Sequence, residues 1–301
     1  MTTPAGQLAE MVAADQPAIL VTVAEARGST PREAGVRMIV TPDDVTGTIG
    51  GGRLEFNAIE RARRMLHDGE RVAMMKVPLG PAIGQCCGGS VSLQLEMADA
   101  ALLSRVEAQE RAERDSRPAV MIFGAGPTGQ ALTAALAPLP FAITLIDSRR
   151  DRLDVAPQAV TTIASALPEA EIDQARPRTG FVVMTHDHAL DFLLAARALR
   201  RGDAAYVGMI GSATKRERFR RYLKEEGDGD LIGRLVLPIG GSALRDKRPE
   251  VIAAMTAAEL AVCLLSNQGE KLHGTFAAGL PRCNSEADQQ RDQPPLHAAA
   301  S

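Results

Sequence analysis

The sequence predicts an α/β protein with a small α+β N-terminal domain followed by a Rossmann-type parallel-sheet domain. Three observations carry this. A chain of 301 residues has room for about two domains. From Ala119 onward, short apolar runs alternate with amphipathic stretches, the pattern of a parallel sheet covered by helices on both faces. Within that half, Gly124-Ala125-Gly126-Pro127-Thr128-Gly129 is a G-x-G-x-x-G placed directly after a strand pattern and directly before a helix pattern.

The N-terminal elements are read in order. Leu8 to Ala14 reads as a short helix and Ala18 to Ala24 as a strand. A loop rich in turn formers, Ala26 to Gly35, leads to strands over Val36 to Val40 and Thr46 to Ile49. Gly50-Gly51-Gly52 then opens a helix over about Leu54 to Leu66. Arg71 to Val77 and Ser90 to Glu96 read as strands on either side of Gly84-Gln85-Cys86-Cys87-Gly88-Gly89. Ala98 to Glu113 is a charged amphipathic helix, and the polar run Arg111 to Arg117, stopped by Pro118, reads as the linker. The domains are therefore expected at 1–110 and 118–266.

In the second half, strands are expected at Ala119 to Phe123, Ile143 to Ile146, Val160 to Ile163, Phe181 to Met184 and Tyr206 to Ile210. Leu235 to Leu237 is a further short candidate. Helices are expected at Pro127 to Ala137, Leu190 to Leu199, Ala213 to Lys224 and Pro249 to Leu265. From Asn267 the chain is polar with few large apolar residues, so 267–301 reads as a disordered tail.

In the G-x-G-x-x-G, Gly124 suits the tight turn, Gly126 the close approach of backbone to a pyrophosphate, and Gly129 the packing of helix on strand. Asp147 ends the next strand, where an acid hydrogen-bonds a ribose hydroxyl. Asp147 favours NAD; Arg149 and Arg150 just beyond it offer either a seat for a 2′-phosphate or an ordinary solvated loop. Thr185-His186-Asp187-His188 falls at the carboxyl edge of the sheet, where ligands bind in such folds. His186 or His188 there can move protons or touch a cofactor; the plainer reading has Asp187 capping the following helix. Gly208-Met209-Ile210-Gly211-Ser212 is either a ligand-approach turn or a strand end with Ser212 as cap, and Lys215 to Arg221 reads as a basic helical face, either solvated or set against an acidic partner surface.

Composition excludes several classes. Aromatic residues make up 3% of the chain, with no Trp, which argues against a base-stacking nucleic-acid platform. A net charge of −3 argues against a polyanion binder. The four cysteines, Cys86, Cys87, Cys263 and Cys283, show neither a disulfide framework nor zinc spacing. A reduced, cytoplasmic protein is expected. Met1 to Gln16 has no basic region and no continuous apolar run, so no signal peptide is expected, and no stretch is apolar enough to span a membrane.

Two adjacent thiols between glycines read as a loop presenting sulfur to something bulky, since a thiolate is a soft ligand and a nucleophile. Two small buried hydrophobes at a turn is the alternative. His67, the one histidine before residue 186, lies on a surface helix, which weakens any thiol-hydrolase reading.

Taken in order, Gly28-Ser29-Thr30-Pro31-Arg32, Gly47-Thr48-Ile49-Gly50-Gly51-Gly52, Gly84-Gln85-Cys86-Cys87-Gly88-Gly89, the G-x-G-x-x-G, Thr185-His186-Asp187-His188 and Tyr206-Val207-Gly208-Met209-Ile210-Gly211-Ser212 resemble the XdhC/CoxI family. The doublet Cys86-Cys87 is similar to the XdhC branch, accessory proteins of xanthine dehydrogenase. The resemblance covers about residues 18 to 265. It implies a chaperone, without turnover of its own, that binds molybdenum cofactor in the molybdopterin form. Such a chaperone holds the cofactor while a terminal oxo ligand is exchanged for sulfido, then delivers it to apo-xanthine dehydrogenase. It also implies a cysteine desulfurase as sulfur donor and a homodimer. Arg53 stands where CoxI-like members often carry Cys, which places more weight on the doublet. Single-cysteine members keep the second position, so Cys87 is the first candidate for molybdenum and Cys86 the second.

The residue chemistry is compatible. Gly50, Gly51 and Gly52 opening a helix offer N–H groups to a phosphate, and Arg32 and Arg53 can add charge-assisted hydrogen bonds. The cargo is expected in a cleft between the domains, with Gly124 and His186 facing the cysteine loop. A dehydrogenase using NAD or NADP on the Rossmann domain, with His186 or His188 as acid or base, is the competing reading.

Overall fold

The computed structural model describes residues 3–79, 89–241 and 246–266. It divides into two compact units, residues 1–113 and 114–301. The elements of unit 1 are α1 (Pro4–Ala13), β1 (Ile19–Arg27), β2 (Arg37–Val40), β3 (Val45–Gly47), α2 (Gly52–Asp68), β4 (Val72–Pro78), β5 (Ser90–Met97) and α3 (Ala100–Ser116). The five strands form one antiparallel sheet in the order β3-β2-β1-β5-β4.

Alternation along β1 sends its side chains to opposite faces. Ile19, Val21 and Val23 join Leu54, Ala58, Ala62 and Met65 of α2 in one core layer. Those four recur every three or four residues, so they make one helix face. Leu20 points the other way, where Leu8 of α1 and Leu102 and Val106 of α3 cover it. The sheet is thus a middle layer, buried on both sides.

In unit 2 the elements are β6 (Ala119–Phe123), α4 (Pro127–Leu136), β7 (Ala142–Asp147), α5 (Arg150–Leu153), β8 (Thr161–Ala164), α6 (Glu169–Gln174), β9 (Gly180–Val183), α7 (His188–Arg200), β10 (Tyr206–Met209), α8 (Ala213–Glu225), β11 (Leu235–Val236) and α9 (Pro249–Leu265). Six parallel strands run in the order β11-β10-β9-β6-β7-β8. The chain order reverses between β6 and β9, the switch point at which doubly wound sheets open a crevice. Strands β9 and β10 are buried at every residue, as expected of a sheet covered on both faces. Val120, Ile122 and Val182 pack under Leu132 and Leu260, while Phe123, Phe181 and Val183 pack under Leu194, Leu199 and Phe219.

Most expected elements lie within a few residues of their predicted ends. The boundary between the two units falls inside the polar run Arg111 to Arg117, between Glu113 and Arg114, but the run is helical, since α3 continues through it to Ser116. Arg, Ala and Glu are strong helix formers, and their helical preference outweighs their polarity. The short helices α5 and α6 were not expected, because four to six residues give too little periodicity to register. Cys263 on α9 is disulfide-bonded, whereas the sequence suggested no disulfide framework. The tail 267–301 lies outside the described residues.

The fold generates one sharp test. A Cβ added at Gly129 would sit 1.9 Å from the carbonyl oxygen of Gly124, whereas one added at Gly126 meets nothing within 4 Å. Gly129→Ala should therefore lower the unfolding free energy of unit 2 by about 3 kcal/mol or more, because the obstacle is backbone. Gly126→Ala should stay within about 0.5 kcal/mol of the parent. Urea unfolding of the two variants checks this.

Candidate functional site

The residues singled out in unit 1 gather at one end of its sheet. Gly89 closes the base of the β4–β5 hairpin, where Leu79 donates its N–H to the Gly89 carbonyl at 2.8 Å. A Cβ on Gly89 would lie 2.5 Å from the carbonyl oxygens of both Arg27 and Ser29. Two residues beyond Ser29, Pro31 approaches Gly50 so closely that a Cβ there would sit 2.7 Å from the Pro31 ring, with the Arg32 stem 3.6 Å away. The segment Gly28 to Arg32 therefore bridges the hairpin base and the triple glycine. Gly50, at φ 128°, and Gly51, at φ 76°, hold backbone conformations that favour glycine. Arg32 and Arg53 are both exposed. Cys86 and Cys87 lie outside the described residues.

The triple-glycine turn carries an occupant of its own. One carboxylate oxygen of Glu55 accepts hydrogen bonds from the Thr48 hydroxyl at 2.5 Å, the Gly51 N–H at 3.1 Å and the Ile49 N–H at 3.2 Å. The Gly50 N–H donates to the Thr48 hydroxyl at 3.2 Å. Of the N–H groups that the sequence offered to a phosphate, that of Gly51 is engaged by an internal carboxylate and that of Gly50 by the Thr48 hydroxyl. Glu55 was not foreseen as part of this turn, although an acid in the first turn of a helix signals such a role.

In unit 2 the fingerprint glycines divide their roles. Gly124, at φ 111°, has no room for a side chain, because a Cβ would lie 2.4 Å from the Met184 carbonyl oxygen. Gly129 is equally confined, and Gly126 alone faces open space. No side chain caps α4. A helix N-terminus with open backbone in front of it suits an anionic oxygen.

Asp147 is less available. Its carboxylate accepts from the Ala125 N–H at 2.8 Å, from the Arg149 N–H at 3.0 Å, and from the Arg149 guanidinium at 2.9 Å on each oxygen. Burial pushes this carboxyl up, but the hydrogen bonds and the charge of Arg149 outweigh it and hold the pKa at about 2. The glycine turn offers open backbone to an anion; the acid expected to read a ribose is already paired.

Along the carboxyl edge, Asp187 caps α7, accepting from the N–H groups of Ala189 and Leu190, and Ser212 caps α8, accepting from that of Lys215. His186 and His188 are exposed beside the first cap. Beneath them is a buried ion pair. Asp191 is fully buried, and its carboxylate takes the Lys215 ammonium at 2.5 Å, the Thr185 hydroxyl at 2.7 Å and the Thr185 N–H at 2.9 Å. Lys215 also donates to the Ile210 carbonyl at 2.9 Å. Lys215 is thus no solvated basic residue. It begins the buried row Lys215, Phe219, Leu223 of α8, a spacing that was present in the sequence. Among the described residues no group of three or more His, Cys, Asp or Glu is placed to hold a metal ion.

Fold and site together define a protein with an antiparallel α/β unit and a Rossmann-type unit, the latter with a glycine turn suited to an anion. Residues 11–77 match the model of the XdhC and CoxI family, and residues 120–260 match that of the XdhC Rossmann domain. The chain belongs to the XdhC and CoxI family. It is 26% identical over 255 residues to the Escherichia coli (strain K12) uncharacterized protein YqeB, covering 81% of this chain and 43% of that protein. The chain thus spans less than half the length of that relative. A crystal structure described as a xanthine dehydrogenase from Bacillus halodurans superposes with a TM-score of 0.69 at 20% identity, over 89% of this chain and 98% of that one. At that identity the likeness is one of fold.

Two outcomes follow from the geometry. The folded pKa of Asp147 lies below its ordinary value of 3.8, so its contribution is present above about pH 4 and is lost as pH falls towards 2. Asp147→Asn should remove on the order of 2 kcal/mol at pH 7 and flatten the pH dependence of stability between 4 and 2. Acid titrations of the unfolding midpoint for both proteins measure this. Asp191→Asn, which leaves the Lys215 charge without its partner, should cost about 3 kcal/mol. The double change Asp191→Leu with Lys215→Met should recover most of that loss in thermal unfolding.

Proposed function

We propose that this chain is an accessory protein of xanthine dehydrogenase maturation that carries molybdenum cofactor in its molybdopterin form as cargo. In this reading the cargo is held while a terminal oxo ligand leaves as water and is replaced by sulfido; a cysteine desulfurase supplies the sulfur at the persulfide level, and a thiol reductant supplies the two electrons that release it as sulfide. The cargo is then handed to apo-xanthine dehydrogenase by a homodimeric carrier that has no turnover of its own. Family membership is the observation that carries the reading, and it fits a maturation role. The two matched ranges lie on either side of Gly84-Gln85-Cys86-Cys87-Gly88-Gly89 in the sequence.

Each residue has a stated task. The Cys87 thiolate binds the molybdenum, a soft ligand for a centre that accepts sulfur, with Cys86 second. Arg32 and Arg53 hold the cargo phosphate by charge-assisted hydrogen bonds. The glycine turn binds the same phosphate only if Glu55 gives up its N–H donors or if the free first-turn N–H groups of α2 suffice. On the Rossmann unit, the pairing of Arg149 with Asp147 weighs against hydride transfer with NAD as the main task, since a ribose would have to displace the guanidinium.

The test uses the full chain purified from a host that makes the cofactor. Oxidative denaturation releases any bound molybdopterin as a fluorescent pterin. Cys87→Ala should carry at least tenfold less of it, and Cys86→Ala should show a smaller loss. A Cys87→Ala protein that retains the parent's pterin content would sink the ligand assignment.

A further inference from the structure

Unit 2 has an open volume that the fingerprint glycines do not line. It is a cleft of about 560 Å³ beyond the carboxyl ends of β9 and β10. That size is typical of small-molecule sites. Two helix faces wall it. From α7 come His188, Ala189 and Phe192, and from α8 come Thr214, Lys215 and Arg218. Each set recurs at three- or four-residue spacing, so each is a single face. Thr185, Ile210 and Gly211 line the strand ends.

The chemistry of the walls is divided. Ala189, Phe192 and Ile210 are apolar, and the Phe192 ring is held in place by Phe219 at 5.1 Å and Tyr222 at 5.7 Å between centroids. Against them stand Lys215 and Arg218 of α8, with His188 at the start of α7, and among the described residues no acidic side chain lines the cleft. Asp191 sits behind Lys215 with both oxygens engaged, so it fixes the ammonium without entering the cleft. Lys215 spends two of its three N–H donors on Asp191 and Ile210, which leaves one for a ligand. The first turn of α8 contains no acidic residue. Its dipole therefore adds to the cationic side.

A flat apolar wall facing an anion-binding wall matches one ligand class. We propose that this cleft binds a heteroaromatic phosphomonoester of mononucleotide size, its ring against Phe192 and Ile210 and its phosphate on Arg218, Lys215 and the start of α8. This does not depend on Cys87; the phosphorylated-pterin arm rests on the cargo reading, and the nucleotide arm does not. It also places ligand recognition in the β9–β10–β11 half of the sheet, opposite the half in which Arg149 covers Asp147.

A nucleotide and a phosphorylated pterin share this chemistry, and calorimetric titration of the full chain separates them. The probes are nicotinamide mononucleotide, neopterin phosphate and inorganic phosphate. At least one phosphorylated heterocycle should bind tenfold or more tightly than inorganic phosphate, and whichever binds better identifies the source. Arg218→Ala should weaken that binding about tenfold, as expected for loss of a charge-assisted contact. Phe192→Ala should weaken the heterocycle and leave inorganic phosphate unchanged. Arg221→Ala, an equal loss of charge on the same helix outside the cleft, should change affinity less than about twofold. Arg218 is exposed, so Arg218→Glu remains decisive if Phe192→Ala does not fold. The proposal is overturned if neither heterocycle binds more tightly than inorganic phosphate, or if Arg218→Ala and Arg218→Glu bind as the parent does.

Discussion

The carboxyl edge of the parallel sheet depends on the buried pair of Asp191 and Lys215. A carboxylate without solvent contact costs several kcal/mol unless its partners restore what water supplied. Here three donors from two residues do so, and the residues involved come from different elements. Thr185 follows β9, Asp191 is on α7 and Lys215 is on α8, while the second bond of Lys215 reaches Ile210 after β10. An apolar pair of equal volume would pack two helices as stably. What the ion pair adds is position, because hydrogen bonds have direction and packing does not. Two strand ends and two helices are thereby held in one arrangement, and the cleft between α7 and α8 takes its shape from it.

Unit 1 reaches a comparable result with backbone alone. Gly89 lies against the carbonyls of Arg27 and Ser29, and Gly50 lies against Pro31. Neither approach tolerates a side chain. The loop from Gly28 to Arg32 thus sets the distance between the hairpin that bears the cysteine loop and the start of α2. Glu55 then fills the concave side of the turn with a carboxylate. An anion-binding turn that supplies its own anion is neutralised while empty. A phosphate arriving there competes with a group already in place, so binding and release differ by less than they would at a bare turn.

The sequence made the architecture legible because periodicity and glycine spacing are local signals. Strands buried on both faces, such as Phe181 to Val183, appear as apolar runs, and the turn at Gly124 sits between one such run and a helix pattern. The short helices and the true end of α3 were not legible, since propensity outweighed polarity at Arg111 to Ser116. Site chemistry was harder to read because partners distant in sequence decide it. In the sequence Lys215 is one member of a basic face; in the fold Asp191, on another helix, lies against it. Asp147 looked like a ribose acid, yet Arg149, two residues away, holds it. The sequence did raise both possible roles for Arg149, but not this third one.

The fingerprint itself shows why a motif can report a fold more firmly than a ligand. Its first glycine is required because β9's exit, at Met184, crowds it, and its third because α4 rests on the turn. Both would be needed with no nucleotide present. Gly126 alone is free of protein neighbours, so it is the one position where the absence of a side chain serves something other than packing. A dinucleotide enzyme needs that glycine and a free acid together. This unit has the glycine, but its acid is spent on a guanidinium in a pairing stable to about pH 2. The two requirements have come apart. What the unit keeps is a turn that can receive an anion, without the hydroxyl-reading carboxylate that would make it selective for a dinucleotide.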